Sequence, residues 1–76
     1  MARVINPSAL RTIRELVGIS QRELSRRAGL HAGTLNSIEA GAYTITPALQ
    51  RKLADLLGVK LDAITSPVPE PEDVAS

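Results

Sequence analysis

The residues of this 76-residue chain best suited to chemistry are gathered in Ser20 to Gly41, SQRELSRRAGLHAGTLNSIEAG. Arg22, Arg26 and Arg27 bring fixed positive charge, Gln21 brings a side-chain amide, and Thr34, Asn36 and Ser37 bring short polar groups. Cations and an amide beside a helix N-terminus suit a phosphate oxygen. A helix whose outer face carries only small and polar groups suits base edges in a groove about 12 Å wide, and Asn36 alone here can bond an adenine edge through two atoms. Catalysis has no comparable set, since the chain shows no paired carboxylates in a plausible cleft, no Ser/His/Asp arrangement and no glycine-rich phosphate loop. An enzyme is not expected. His31 is the single histidine and there is no cysteine, so no metal, disulfide or cofactor is expected either.

These residues must be positioned by helices. Gly18, Gly29, Gly41 and Gly58 each follow an apolar stretch with a period of about 3.6, where a left-handed helix cap favours glycine. Asn6-Pro7 and Thr46-Pro47 place a capping side chain before a proline, and Ser20 with Glu23 fits a capping box. The spacing predicts helices near 7–17, 20–28, 31–40 and 47–57. Leu10, Ile13, Leu16 and Val17 are expected to line the inner face of the first, and Leu49, Leu53, Leu56 and Leu57 that of the fourth. Leu24, Ala28, Leu30, Leu35 and Ile38 fill between them. Val59, Leu61 and Ile64 suggest a short fifth helical turn, and no strand pattern competes.

The expected fold is therefore all-α, a bundle of four to five helices with an aliphatic core and Tyr43 as its single aromatic residue. Residues 1–6 read as a flexible arm, 7–65 as the folded domain, and 66–76, with three alternating prolines and Glu70, Glu72 and Asp73, as a flexible acidic tail. The nine Lys and Arg all precede Pro67 beside five acids, which leaves the folded part at +4 and the tail at −3. That balance is compatible with nucleic acid, because clustered cations and not total charge make phosphate contacts. The apolar runs are shorter than the roughly 20 residues of a membrane span, and the N-terminus lacks the apolar centre of a secretory signal. The expected location is cytoplasmic, with no membrane partner and no small-molecule ligand.

The run Gln21, Leu24, Ala28, Gly29, Leu30, Leu35, Ile38, Glu39 and Gly41 resembles the Cro/C1-type (XRE, lambda-repressor-like) helix-turn-helix family, over about Leu10 to Ile64. The resemblance implies a lambda-repressor-like bundle that binds double-stranded DNA through its third helix. It implies a phosphate contact for Gln21 and an ion pair between Arg14 and Glu39. A carboxylate on the core side of the third helix also needs a charge partner, because burying it alone is costly. The positions matching the family's base readers are Ala32, Gly33 and Ser37, where many members carry long amides or cations, so direct readout is expected to be thin.

The expected DNA-binding set is Gln21, Arg22, Arg26, His31, Ala32, Gly33, Thr34, Asn36, Ser37, Tyr43, Thr44 and Arg3. His31 is taken to open the third helix, and Ala42 to Thr46 to touch the DNA backbone with Ile45 turned inward. Arg3 rides on an arm able to enter a minor groove. Gly33, placed inside the helix, costs about 1 kcal/mol relative to alanine unless it permits close approach to DNA.

The function implied is a sequence-specific transcriptional regulator, a phage-type repressor or Cro-like protein that acts by operator occupancy. A homodimer is expected through helix four, the Val59 to Ile64 turn or the tail, or only on DNA. Two alternatives use the same fold: the antitoxin of a toxin–antitoxin pair, and a protein-interaction module that has lost DNA binding.

Overall fold

The computed structural model of the protein describes residues 3–68. Most of the expected acidic tail, with Glu70, Glu72 and Asp73, lies outside the described residues. The elements run β1 (Arg3–Ile5), α1 (Pro7–Val17), α2 (Gln21–Ala28), α3 (Thr34–Glu39), α4 (Pro47–Leu57), a 3₁₀ turn (Leu61–Ala63) and β2 (Thr65–Pro67).

Three helix starts follow directly from local chemistry. The Asn6 side chain accepts from the backbone N–H of Ala9 at 3.1 Å, Ser20 from that of Glu23 at 3.0 Å, and Thr46 from that of Leu49 at 3.2 Å. Each bond satisfies a donor that the first helical turn leaves without an intrahelical partner. Pro7 and Pro47 occupy first-turn positions where a missing N–H costs nothing.

The core is aliphatic. Leu10, Leu24, Leu35, Ile38, Leu53 and Ile64 are fully buried, and Ile5, Ala28, Ala54 and Leu57 complete the cluster. Ile45 packs against its edge. α2 packs on both α3 and α4, and α1 closes against α3.

Four features depart from the expectation. First, the chain is not purely helical: β1 and β2 pair antiparallel, with Arg3 opposite Pro67 and Ile5 opposite Thr65. Residues 3–5 are therefore a strand and not a free arm, and Ser66 and Pro67 belong to the sheet and not to a loose tail. A pairing between two three-residue stretches at opposite ends of the domain leaves no local periodicity to read. Second, the inner face of α1 is Leu10, half-buried Ile13 and Arg14, whereas Leu16 is 81% and Val17 52% exposed. Leu16 lies about 120° around the helix from Leu10. Third, the buried face of α4 is Gln50, Leu53, Ala54 and Leu57, with Leu49 and Leu56 at its margins.

Fourth, α3 begins at Thr34 and not at residue 31. His31 and Ala32 belong to the turn, where the Thr34 N–H donates to the His31 carbonyl at 3.1 Å. Gly33 precedes the helix with φ +87°, in the left-handed region open to glycine and costly to other residues. It is thus a turn residue and not a weak point inside a helix.

This conformation reverses the sign of one substitution. In a helix interior Gly33→Ala gains about 1 kcal/mol, but at this φ it costs roughly 1–2 kcal/mol. A Cβ there meets nothing within 4 Å, so the cost is backbone strain alone. Gly33→Ala is expected to lower the melting temperature by several degrees; a rise in a thermal melt contradicts the left-handed turn.

Candidate nucleic-acid interface

Arg14 occupies the position on α1 where periodicity calls for an apolar side chain, and it faces α3. Its Nε donates to Glu39 Oε2 at 2.6 Å and its Nη2 to Glu39 Oε1 at 3.2 Å, the two-pronged geometry that suits guanidinium and carboxylate. The Glu39 side chain is 3% exposed. Arg14 Nη1 donates to the Ile19 carbonyl at 2.9 Å, which also ties the end of α1 to the start of α2. The bond to Glu39 raises the Arg14 pKa above its ordinary value, so the guanidinium stays charged.

Gln21, the first residue of α2, completes the cluster: its Nε2 donates to Glu39 Oε1 at 2.9 Å and faces Asn36 Oδ1 at 3.4 Å. One carboxylate therefore gathers groups from α1, α2 and α3. Gln21, Arg22, Arg26, Ala32, Gly33 and Asn36 line one open cleft of about 570 Å³ between α2 and the turn into α3. Ser25 and Leu30 also line it. Neither belongs to the expected site: Leu30 is among the expected core residues, and Ser25 is buried on α2.

The other expected site residues are distributed around this cleft. His31 is exposed on the turn, Thr34 opens α3 half-buried, and half-buried Ser37 donates its hydroxyl to the Gly33 carbonyl at 3.2 Å. The placement of His31 corrects the expectation that it opens the helix, since two turn residues separate it from Thr34. Tyr43 and Thr44 are exposed on the loop after α3.

Arg3 is engaged elsewhere. Its Nε donates to Thr65 Oγ1 at 2.7 Å, its Nη2 to the Thr65 carbonyl at 3.1 Å, and Asp62 lies 3.6 Å away. Its own carbonyl accepts from buried Gln50 at 3.1 Å. A side chain held within the sheet in this way does not ride on a free arm, contrary to the expectation that Arg3 is placed to enter a minor groove.

The cations of α2 are not equivalent. Glu23 does not close the expected capping box; its carboxylate accepts from Arg26 and, at 2.7 Å, from Arg27. Those bonds, Arg26's first, hold the Glu23 carboxyl down to about 2. Arg22 forms no ion pair with any described residue. Its charge is the one on α2 that faces the cleft uncompensated.

A short helix pair joined by a glycine turn, with cations and amides on the shared outer cleft and a carboxylate locking the second helix from behind, is the architecture of a DNA-binding helix-turn-helix domain. A family model described as helix-turn-helix matches residues 10–64, and the chain belongs to that family, of Cro/C1 (XRE) type. A comparison with curated proteins finds no match.

Breaking the buried pair leaves Glu39 charged without its partner, at a cost of roughly 3–5 kcal/mol. Arg14→Ala is therefore expected to lose a large part of the domain's stability in urea unfolding. An Arg14→Met/Glu39→Met double variant should lose less, because neither charge is stranded. A wild-type unfolding midpoint for Arg14→Ala overturns the assignment.

Glu23 predicts an acid limb. A carboxyl whose pKa is lower in the folded state adds stability above its ordinary value, about 4.5, and that contribution disappears as pH falls toward 2. Melting curves across this window should fall less steeply for Glu23→Gln than for the parent chain. The difference should shrink in high salt, because the group is exposed.

Proposed function

We propose that this protein is a sequence-specific transcriptional regulator, of phage-repressor or Cro-like kind, that works by occupying an operator and excluding polymerase. The observation that carries this reading is the single cleft uniting Gln21, Arg22, Arg26, Ala32, Gly33 and Asn36 on the outer side of α2 and α3. In this reading α3 enters the major groove with Leu35 and Ile38 held in the core and Thr34, Asn36 and Ser37 outward. Arg22, Arg26, Tyr43 and Thr44 take the sugar–phosphate backbone on either side, and His31 lies within reach of the same strand. The small side chains at Ala32 and Gly33 let the backbone approach the base edges closely.

The folded unit in this reading is β1 through β2, with the acidic segment after it as an appendage, and the protein works in the cytoplasm. Two copies bind half-sites about one helical turn apart. The domain is small and no helix among its described residues is long and apolar enough to cross a membrane.

The experiment that tests the proposal is selection of binding sites from a random duplex library by the purified chain at physiological salt. An enriched inverted repeat supports a dimeric operator-binding regulator. Absence of any enriched sequence removes it and favours the antitoxin or interaction-module readings.

The charge arrangement predicts a ranking among cations. Removing one cation that neutralises a phosphate lowers the slope of log affinity against log salt by about 1. Arg22→Ala is expected to produce that change and weaken binding uniformly across sequences. Arg26→Ala should change the slope less, because Glu23 already neutralises Arg26. Fluorescence-anisotropy titrations at several salt concentrations measure both; equal slopes for the two variants contradict the ranking.

A further inference from the structure

We propose that Asn36 is held in one amide orientation, with its donor outward, and that it therefore reads guanine and not adenine. This inference rests on the DNA-reading role proposed above and names the base that role selects.

The orientation propagates from the buried ion pair. Arg14 presents only donors and the Glu39 carboxylate only acceptors. The atom of Gln21 that faces Glu39 at 2.9 Å must then be Nε2, because the reversed amide sets its oxygen against a carboxylate oxygen where the Glu39 side chain is 3% exposed. That bond uses one of the two Nε2 protons. The second is directed at Asn36, and the only Asn36 atom able to receive it is Oδ1, at 3.4 Å. Reversing Asn36 sets donor against donor. Arg14, Glu39, Gln21 and Asn36 thus form a relay of fixed polarity that runs from the core to the exposed face of α3.

A freely turning asparagine binds adenine by accepting from N6 while donating to N7. In this relay the acceptor is turned toward Gln21, and the two Nδ2 protons are what remains for the groove. Guanine offers two acceptors side by side, N7 and O6, and no donor on that edge. Two outward donors match guanine, whereas an adenine N6 donor would have to reach the second lone pair of an Oδ1 that is turned toward Gln21. Gln21 is in this way a positioning residue for specificity, acting through Asn36; with both Nε2 protons taken, a phosphate contact at Gln21 falls to its backbone N–H.

The test is site selection from a random duplex library with the full chain and three variants, Asn36→Ala, Asn36→Asp and Gln21→Ala, each confirmed folded by a thermal melt. The position in question is the one whose preference Asn36→Ala flattens. There the parent chain is expected to favour guanine over adenine by about tenfold, the lower range of one two-bond base contact. Gln21→Ala should move that ratio toward parity, because Asn36 is released to turn. Asn36→Asp keeps an oxygen toward Gln21, removes the outward donor and should abolish the guanine preference. It sits at an exposed position, so it carries the test even where Gln21→Ala melts.

Adenine enriched at that position in the parent chain overturns the proposal. So does a profile that Asn36→Ala leaves unchanged, or a guanine preference that survives Asn36→Asp. A library in which the parent chain enriches nothing removes the DNA-reading role itself, which separates that failure from failure of the orientation alone.

Discussion

The Arg14–Glu39 pair is the interaction on which the rest of the structure turns. α3 spans only Thr34–Glu39, too short to be stable by its own hydrogen bonds. Its inner face contributes two buried side chains, Leu35 and Ile38. Two apolar anchors hold a short helix against a core but specify its rotation loosely. A carboxylate seated two-pronged on a guanidinium, which is itself bonded to the Ile19 carbonyl, supplies the missing angular constraint. Buried ion pairs are weak sources of net stability compared with apolar packing of the same volume. In this domain the pair specifies an arrangement: α1, the start of α2 and the end of α3 are brought to one point, and the outward face of α3 follows from that.

Charge is distributed by the same logic of local pairing. The folded part carries an excess of cations, yet most of them are already answered by acids within the domain: Arg3 by Asp62, Arg11 by Glu15, Arg14 by Glu39, and Arg26 and Arg27 by Glu23. The number of cations therefore overstates the positive field at the α2–α3 cleft, where Arg22 stands apart. An exposed ion pair exchanges partners at small cost. Glu23 accordingly lowers the positive field along α2 without abolishing it. The Glu23 carboxylate would otherwise have closed a capping box, and its diversion to two arginines is a choice between two weak interactions settled by the density of positive charge on α2.

Much of the fold was legible in the chain. Capping side chains, first-turn prolines and terminal glycines are chemical events within a few residues of one another, and they place α1, α2 and α4 within a residue of their observed limits. The pairing of Arg14 with Glu39 was implied by family resemblance and by the cost of burying a lone carboxylate. The sheet was not legible, because β1 and β2 are three-residue strands from opposite ends of the domain whose only signal is each other. Leu16 misled for a different reason: hydrophobicity marks a residue as able to be buried, but Leu16 lies about 120° around α1 from Leu10, off the face that packs.

The site divides along the same line. Residue types and helical phase alone determined that Thr34, Asn36 and Ser37 accompany α3, that Gln21 begins α2, and that the core is aliphatic. Only the tertiary structure decided that Gly33 is a left-handed turn residue, that Arg3 is bound to Thr65, and that the Gln21 amide bridges Glu39 and Asn36. Helical periodicity and capping are short-range, fixed by backbone geometry over a turn or two, and so can be read along the chain. Which of several hydrogen-bond partners a polar side chain takes depends on groups that are distant in sequence and meet only when the helices have packed.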